Sequence, residues 1–156
     1  MKTKIQLLVM DVDGVLTNGT ITYNPLGEEI KSFHVRDGYG IKMLHEAGIQ
    51  TAIISGRQSA ALNYRAKEMQ IKHVYTGVSD KLPTLKKISK DTGIALEHIA
   101  YVGDDIPDLE CMMAVAYPIT VANGDSHLKK IALWITKKSG GDGAVREICD
   151  WILQDD

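Results

Sequence analysis

Four apolar residues, Leu7-Leu8-Val9-Met10, run without a break into Asp11, and one residue later come Asp13 and Gly14. A short continuous apolar run bounded in this way reads as a buried strand. An unpaired carboxylate is costly to bury, so the strand has to stop where Asp11 appears. This junction constrains the fold more than any other stretch. Open α/β sheets bind ligands at the carboxyl ends of their strands, and two acids placed there call for a cation. Oxygen ligands beside phosphate chemistry point to magnesium. Alone, Asp-x-Asp-Gly also fits a solvated turn. Three later stretches weigh against the turn: Ile53-Ile54-Ser55-Gly56-Arg57, Lys81, and Val102-Gly103-Asp104-Asp105.

Past the acids, Thr20–Tyr23 alternates polar and apolar, Asn24-Pro25-Leu26-Gly27 has turn chemistry, and Glu28–His34 reads as a returning strand, a hairpin beside the acid pair. Helical spacing predicts a helix over Tyr39–Ala47, stopped by Gly48. Apolar runs predict strands at Gln50–Ile54, His73–Tyr75 and Ile99–Val102, with shorter ones at Tyr117–Val121 and Leu133–Ile135. Between them, helices are predicted over Ser59–Met69, over Lys81–Asp91 with Ser79-Asp80 as its cap, and from Pro107 to Ala114. An amphipathic helix over Ala144–Leu153 follows Gly140-Gly141-Asp142-Gly143. Strands alternating with helices imply a parallel sheet with helices on both faces. The expected fold is a Rossmann-like three-layer α/β sandwich, one domain over 1–156.

Composition excludes several classes. A net charge of −2 gives no broad basic surface for nucleic acid. No apolar run is long enough to span a membrane, and Asp11 and Asp13 interrupt the apolar stretch behind Met1-Lys2-Thr3-Lys4 too early for a secretory leader, which predicts a cytoplasmic protein. Cys111 and Cys149 match no zinc spacing and are expected as buried helix thiols. His45, His73, His98 and His127 form no ligand spacing, and Trp134 and Trp151 are expected in the core or an interface.

All strands of a parallel sheet end at one edge, so Asp11, Asp13, Ser55, Asp104 and Asp105 should converge there, with Lys81 at a helix start nearby. Carboxylates, a hydroxyl and an ammonium in one place suit phosphoryl transfer, where positioning and electrostatics carry most of the catalysis. Asp11 is the best nucleophile. Asp13 serves as acid toward the leaving oxygen and then as base toward water. Ser55 and backbone N–H groups bind phosphate oxygens, Lys81 supplies a point charge, and Asp104 ligates the metal with Asp105 and Asp108 orienting the ligands.

The order Asp-x-Asp-Gly-Val, Ser-Gly, Lys, Gly-Asp-Asp-x-x-Asp resembles the haloacid dehalogenase superfamily. Further stretches, Asp11-Val-Asp-Gly-Val-Leu-Thr17, Phe33-His-Val-Arg-Asp-Gly-Tyr-Gly40, Tyr101-Val-Gly-Asp-Asp105 and Gly140-Gly-Asp-Gly-Ala-Val-Arg-Glu147, are similar to the 3-deoxy-D-manno-octulosonate 8-phosphate phosphatase family, a branch without a cap domain. That resemblance implies a magnesium-dependent phosphatase acting through an aspartyl-phosphate in lipopolysaccharide precursor synthesis, and a homotetramer with its hairpins packed centrally. It implies metal ligation by Asp11, the Asp13 backbone carbonyl and Asp104. Substrate contacts follow from Asp13, His34, Val35, Arg36, Asp37, Gly38, Lys42, Arg57, Arg65 and Lys81. It also implies that the glycine-rich stretch before the last helix reaches a neighbouring subunit's site.

The residues agree on the missing cap: neither the interval between Asp13 and Ser55 nor that between Ser55 and Lys81 has room for a lid domain. Water must be excluded during the chemistry, and a partner copy would supply the wall. Two alternatives stay open here. One is the same chemistry on a nine-carbon, neuraminate-type 9-phosphate, against which Arg57 and Arg36 weigh. The other is an inactive regulatory domain, against which the presence of Asp11, Asp13 and Lys81 weighs; a phospho-acceptor receiver is disfavoured because Lys81 precedes the Asp104-Asp105 pair.

Overall fold

The computed structural model describes residues 5–154, so Met1–Lys4, where a secretory leader would begin, lies outside the described residues. Six strands form one parallel sheet: β1 (Leu7–Met10), β4 (Gln50–Ile54), β5 (His73–Tyr75), β6 (Ile99–Gly103), β7 (Tyr117–Thr120) and β8 (Trp134–Ile135), in the spatial order β5-β4-β1-β6-β7-β8. The remaining strands, β2 (Thr22–Tyr23) and β3 (Glu29–Ile30), pair antiparallel as a separate hairpin. Six α-helices connect them: α1 (Val35–Glu46), α2 (Ala60–Glu68), α3 (Lys81–Thr92), α4 (Leu109–Ala114), α5 (Ser126–Ile131) and α6 (Ala144–Leu153).

The apolar run that opens the chain becomes the middle of the sheet because it is buried on both faces. Leu8 and Met10 pack into one core with Ile41, Leu44, Leu62 and Ile148, while Leu7 and Val9 pack into a second with Leu85, Ile88, Met112 and Leu128. The first core is covered by α1, α2 and α6, the second by α3, α4 and α5. This is the expected three-layer arrangement, and among the described residues no segment forms a cap domain. No described helix is long and apolar enough to cross a membrane. Cys111 and Cys149 are free and buried on α4 and α6, as expected. Trp134 and Trp151 stack with ring centroids 5.0 Å apart.

Several boundaries differ from expectation, each for a local reason. α1 begins at Val35 rather than Tyr39, because the His34 imidazole accepts a hydrogen bond from Arg36 N and Asp37 sits in the first turn, where negative charge is favourable. The returning strand pairs only at Glu29–Ile30, not over Glu28–His34, since the chain beyond Ile30 turns toward α1. Asp80 takes the cap position of α3 but makes no side-chain capping bond. Pro107 lies inside a 3₁₀ turn, Ile106–Asp108, before α4 starts. α5 has no counterpart among the expected helices: it spans 6 residues with Leu128 alone buried, and its signal is Asp125 accepting from His127 N.

Candidate active site

Register brings the strand ends together. Met10 lies beside Ile53 of β4 on one side and Val102 of β6 on the other, so Asp11, Ser55 and Asp104 leave the sheet at one edge. Asp11 N donates to Val102 O at 3.0 Å, carrying β1 one residue past its last ladder position. The loop from Val12 to Thr17 folds back on itself, with Leu16 N donating to Val12 O at 2.9 Å and Gly14 N to the Thr17 hydroxyl at 3.2 Å. Gly14 has φ +88°, and a Cβ there would lie 1.8 Å from Asp104 Oδ2. Only glycine lets the acid loop and the β6 end approach this closely.

Lys81, the first residue of α3, is buried between two acids. Its ammonium donates to Asp11 Oδ1 at 2.9 Å and to Asp108 Oδ1 at 2.8 Å. Asp108 is fully committed: Tyr101 OH also donates to Oδ1 at 2.7 Å, and Asp104 N donates to Oδ2 at 3.1 Å. Carboxylate oxygens of Asp11, Asp104 and Asp108 all lie within 4.8 Å of one another. Burial and the neighbouring Asp108 charge push Asp11 well above the ordinary carboxylate range, against the pull of Lys81. Burial likewise pushes Asp104 up to about 6. Burial alone would lower the Lys81 pKa, but Asp11 and Asp108 outweigh it and hold the ammonium charged. Three acids against one ammonium leave an excess of negative charge, and an all-oxygen donor set of this kind fits a hard divalent cation.

A cavity of about 470 Å³ opens on this cluster, and Asp11, Asp13, Arg57, Lys81, Asp104 and Asp105 are among its lining residues. Ser55 is buried at the end of β4, its hydroxyl accepting from Arg57 N at 3.3 Å, directly before Gly56 and Arg57 of the cavity wall. Asp105 is exposed and caps its own turn, accepting from Ile106 N at 2.8 Å. Arg57 turns toward the hairpin: its guanidinium donates to Glu29 Oε1 at 2.6 Å and to Tyr23 OH at 3.3 Å.

The other expected substrate residues lie elsewhere on the chain. Val35, Gly38, Lys42 and Arg65 line a separate cavity of about 630 Å³. There Arg65 donates to Glu68 Oε2 at 3.0 Å and stands over the Phe33 ring, and Lys42 lies 5.9 Å from the Tyr39 ring centroid. His34 caps α1 with its Nδ1. Arg36 lines a smaller cavity of about 210 Å³ with Lys138 and Arg146. Asp37 is buried, accepting from Arg146 N at 2.9 Å through Oδ1, with Oδ2 unpartnered. Within its own chain the glycine-rich stretch lies under the acid loop, where Gly141 N donates to Val15 O at 3.1 Å. A cavity of about 360 Å³ lined by His45, Thr51 and Lys72 sits at the opposite end of β4 and has no acid in its wall.

Sequence reasoning missed Lys31 and Tyr101. Tyr101 is a strand residue whose hydroxyl reaches Asp108, and its place in an apolar run disguised it. Lys31 Nζ lies 2.6 Å from Asp13 Oδ1; only the fold-back of the hairpin brings it there.

A family model for haloacid dehalogenase-like hydrolases matches residues 71–148. The 3-deoxy-D-manno-octulosonate 8-phosphate phosphatase of Yersinia pestis is 44% identical over 149 residues, covering 96% of this chain and 80% of its own. The enzyme of the same name from Moraxella catarrhalis, solved in complex with magnesium ion, phosphate ion and KDO, is 47% identical with a TM-score of 0.94, over 97% of this chain and 87% of that one. The cobalt-bound form of the deoxy-D-mannose-octulosonate 8-phosphate phosphatase from Haemophilus influenzae is 42% identical, also with a TM-score of 0.94, over 97% and 88%.

Proposed function

The chain belongs to the 3-deoxy-D-manno-octulosonate 8-phosphate phosphatase family of haloacid dehalogenase-like hydrolases, and from that premise we propose that it hydrolyses the 8-phosphate of this eight-carbon sugar acid to the free acid and phosphate, in lipopolysaccharide precursor synthesis. The single observation that carries the reading is the meeting of Asp11, Asp104 and Asp108 around the Lys81 ammonium at one sheet edge. The cofactor is magnesium. Asp11, Asp104 and the Asp13 backbone carbonyl would hold it, with Asp108 and Asp105 orienting them. Bound there, it supplies neutralisation of the charge on the transferring phosphoryl group.

The chain's own residues carry the remaining steps. Asp11 attacks phosphorus, forming the aspartyl-phosphate as the bond to the sugar oxygen breaks. Asp13 gives its proton to that oxygen and later takes one from the water that cleaves the acyl phosphate. Lys81, hydrogen-bonded to Asp11, favours the anionic form of the nucleophile against the effect of burial and faces the incoming phosphate. Ser55 and the backbone beyond it bind the phosphate oxygens. Arg57 pairs with the sugar-acid carboxylate, for which its planar fork is suited, and this favours the eight-carbon substrate over a nine-carbon one.

His34–Gly38, Lys42 and Arg65 then complete substrate binding, and their separation from the acid cavity within one chain supports assembly of the site between copies. The hairpin supports the same reading. Ile21, Tyr23, Leu26 and Ile30 are exposed on it, an apolar patch of the kind that marks a subunit contact. The protein is in this reading a cytoplasmic homotetramer, each chain one hydrolase domain over 1–156. Phosphate release with magnesium across a panel of sugar-acid phosphates tests the function. The eight-carbon 8-phosphate should be turned over best, and Asp11→Asn should be inactive. Turnover of nine-carbon substrates alone would displace the substrate and leave the chemistry, whereas an active Asp11→Asn would remove the nucleophile.

A further inference from the structure

Lys31 follows directly on β3 and belongs to none of the motifs that define the acid cluster. Its side chain is only 5% exposed, although it lies at the base of a hairpin whose other side chains mostly face solvent. An ammonium is enclosed in this way only where acids compensate it. Two do so: Asp13 Oδ1 at 2.6 Å and Glu29 Oε2 at 3.6 Å. Glu29 in turn holds Arg57. An unbroken chain of opposite charges therefore runs from Asp13 through Lys31 and Glu29 to Arg57.

We propose that Lys31 is a positioning residue for Asp13, fixing its carboxyl group through Oδ1 so that Oδ2, the oxygen that carries the proton in the acid step, is presented to the bridging oxygen of the phosphate ester. Asp13 needs such a brace. It stands in a turn rather than on a strand, it is 25% exposed, and among the described residues no backbone N–H holds Oδ1. Proton transfer to a leaving group requires the acid within hydrogen-bond reach in the transition state, and a freely rotating carboxylate spends much of its time elsewhere. Because Lys31 rides on the hairpin, the orientation of Asp13 depends on the hairpin being docked. Glu29 holds Arg57 by a separate, shorter contact of 2.6 Å, so Arg57 keeps its place when Lys31 is replaced.

The inference rests on the assignment of Asp13 as the acid, and leaving-group chemistry separates the two. A sugar alkoxide must be protonated as it departs; the nitrophenolate of p-nitrophenyl phosphate departs with little help. The quantity to compare is kcat/KM, which ends at leaving-group departure and excludes the later water step common to both substrates. Lys31→Met should lower kcat/KM for the sugar-acid phosphate roughly 30-fold, within the range of a misplaced general acid, and that for p-nitrophenyl phosphate less than about threefold. The inhibition constant of the free sugar acid should not change, and Lys31→Arg should recover most of the loss. On an Asp13→Asn background Lys31→Met should add nothing. Equal losses on both esters, a parallel weakening of sugar-acid inhibition, or a further loss on the Asp13→Asn background would each overturn the positioning role. If Asp13→Asn alone failed to discriminate between the esters, the assignment of Asp13 as acid would fall instead. Lys31→Arg keeps the charge and the packing, so it tests the role even if Lys31→Met folds poorly.

Discussion

The acid rim and the amino-terminal face of α1 are both expected to touch substrate, yet they are built on opposite plans. At the rim the side chains are held inside one chain: Lys81 bridges Asp11 and Asp108, Tyr101 and two backbone N–H groups complete Asp108, and the whole lies at the junction of β1 and β6. On the α1 face, Val35 and Tyr39 are exposed at 78% and 56%. Among the described residues Arg65 Nε and Asp37 Oδ2 have no hydrogen-bond partner. The two cavities share no lining residue. Sheet topology therefore brings together within one chain the part of the site expected to handle phosphate. The part expected to read the sugar acid is left open within the chain.

The sharpest way to break this contrast is to remove a charge from each side. Lys81→Met should lower kcat at least about 10³-fold, as expected for loss of a preorganised charge at the reacting group. Gly14→Ala should do comparable damage by displacing Asp104, whose Oδ2 would lie 1.8 Å from the new Cβ. Arg65→Ala and Lys42→Ala should instead raise KM about 10- to 100-fold with kcat nearly kept, the signature of uniform binding. Steady-state kinetics on the sugar-acid phosphate decides. Equal kcat losses on both sides would mean that the α1 face acts in the chemical step.

A second test asks whether the two regions meet across copies. Asp11→Asn and Arg65→Ala, each impaired alone, should regain activity when mixed and allowed to exchange subunits, because some interfaces then pair an intact rim with an intact α1 face. The regain should vanish when the two substitutions share one chain and parent protein is absent. A mixture no more active than the sum of its parts would place both regions in a single chain's site.

The same contrast explains what could be read from the sequence. The rim was legible because its parts are consequences of burial: an apolar run that meets Asp11, Ser55 or Asp104 must end there, and parallel strands end together. Lys81 was legible for the same reason, as a helix start after a short strand. Lys31 was not, since nothing local distinguishes it from a solvated hairpin lysine; its place depends on the hairpin folding over the acid loop. The first turn of α1 was hidden because its cap is a histidine, outside the usual Ser, Thr, Asp and Asn set, and because Gly38 and Gly40 weaken the helical signal. α5 was too short to show periodicity.

Protonation should separate the regions next. Burial raises Asp104 from 3.8 to about 6 and raises Asp37 as well. Between the unfolded carboxylate pKa of about 4 and those folded values, the folded chain holds protons that the unfolded chain has released, so stability falls as pH rises through this window. In EDTA the melting temperature should therefore be higher near pH 5 than near pH 7.5, at roughly 2–4 °C per kcal/mol for a chain of this size. Asp104→Asn should shrink that difference. Magnesium competes with the proton at the rim, so it should reverse the rim's share and bind more weakly as pH drops through about 6. The Asp37 share, which belongs to no member of the acid cluster, should persist with or without magnesium.

The smallest effect is expected from Gly40→Ala, which probes how the α1 face is seated. Inside α1, alanine would gain about 1 kcal/mol of helix propensity over glycine. The added Cβ, however, would stand 3.0 Å from both Cys149 Cβ and Arg146 Cδ on α6. Arg146 Cδ belongs to a flexible side chain and can move away. Cys149 Cβ is fixed to the α6 backbone, so α6 must shift by some tenths of an ångström, and overpacking of this kind costs about 1–3 kcal/mol. Net destabilisation of about 1 kcal/mol is expected, read from denaturant midpoints at constant slope. Because Asp37 takes its hydrogen bond from Arg146 N on the same helix, the shift should also raise KM about twofold while kcat stays level. A fall in kcat would show that the seating of α1 on α6 reaches the acids, and the two plans would then be one.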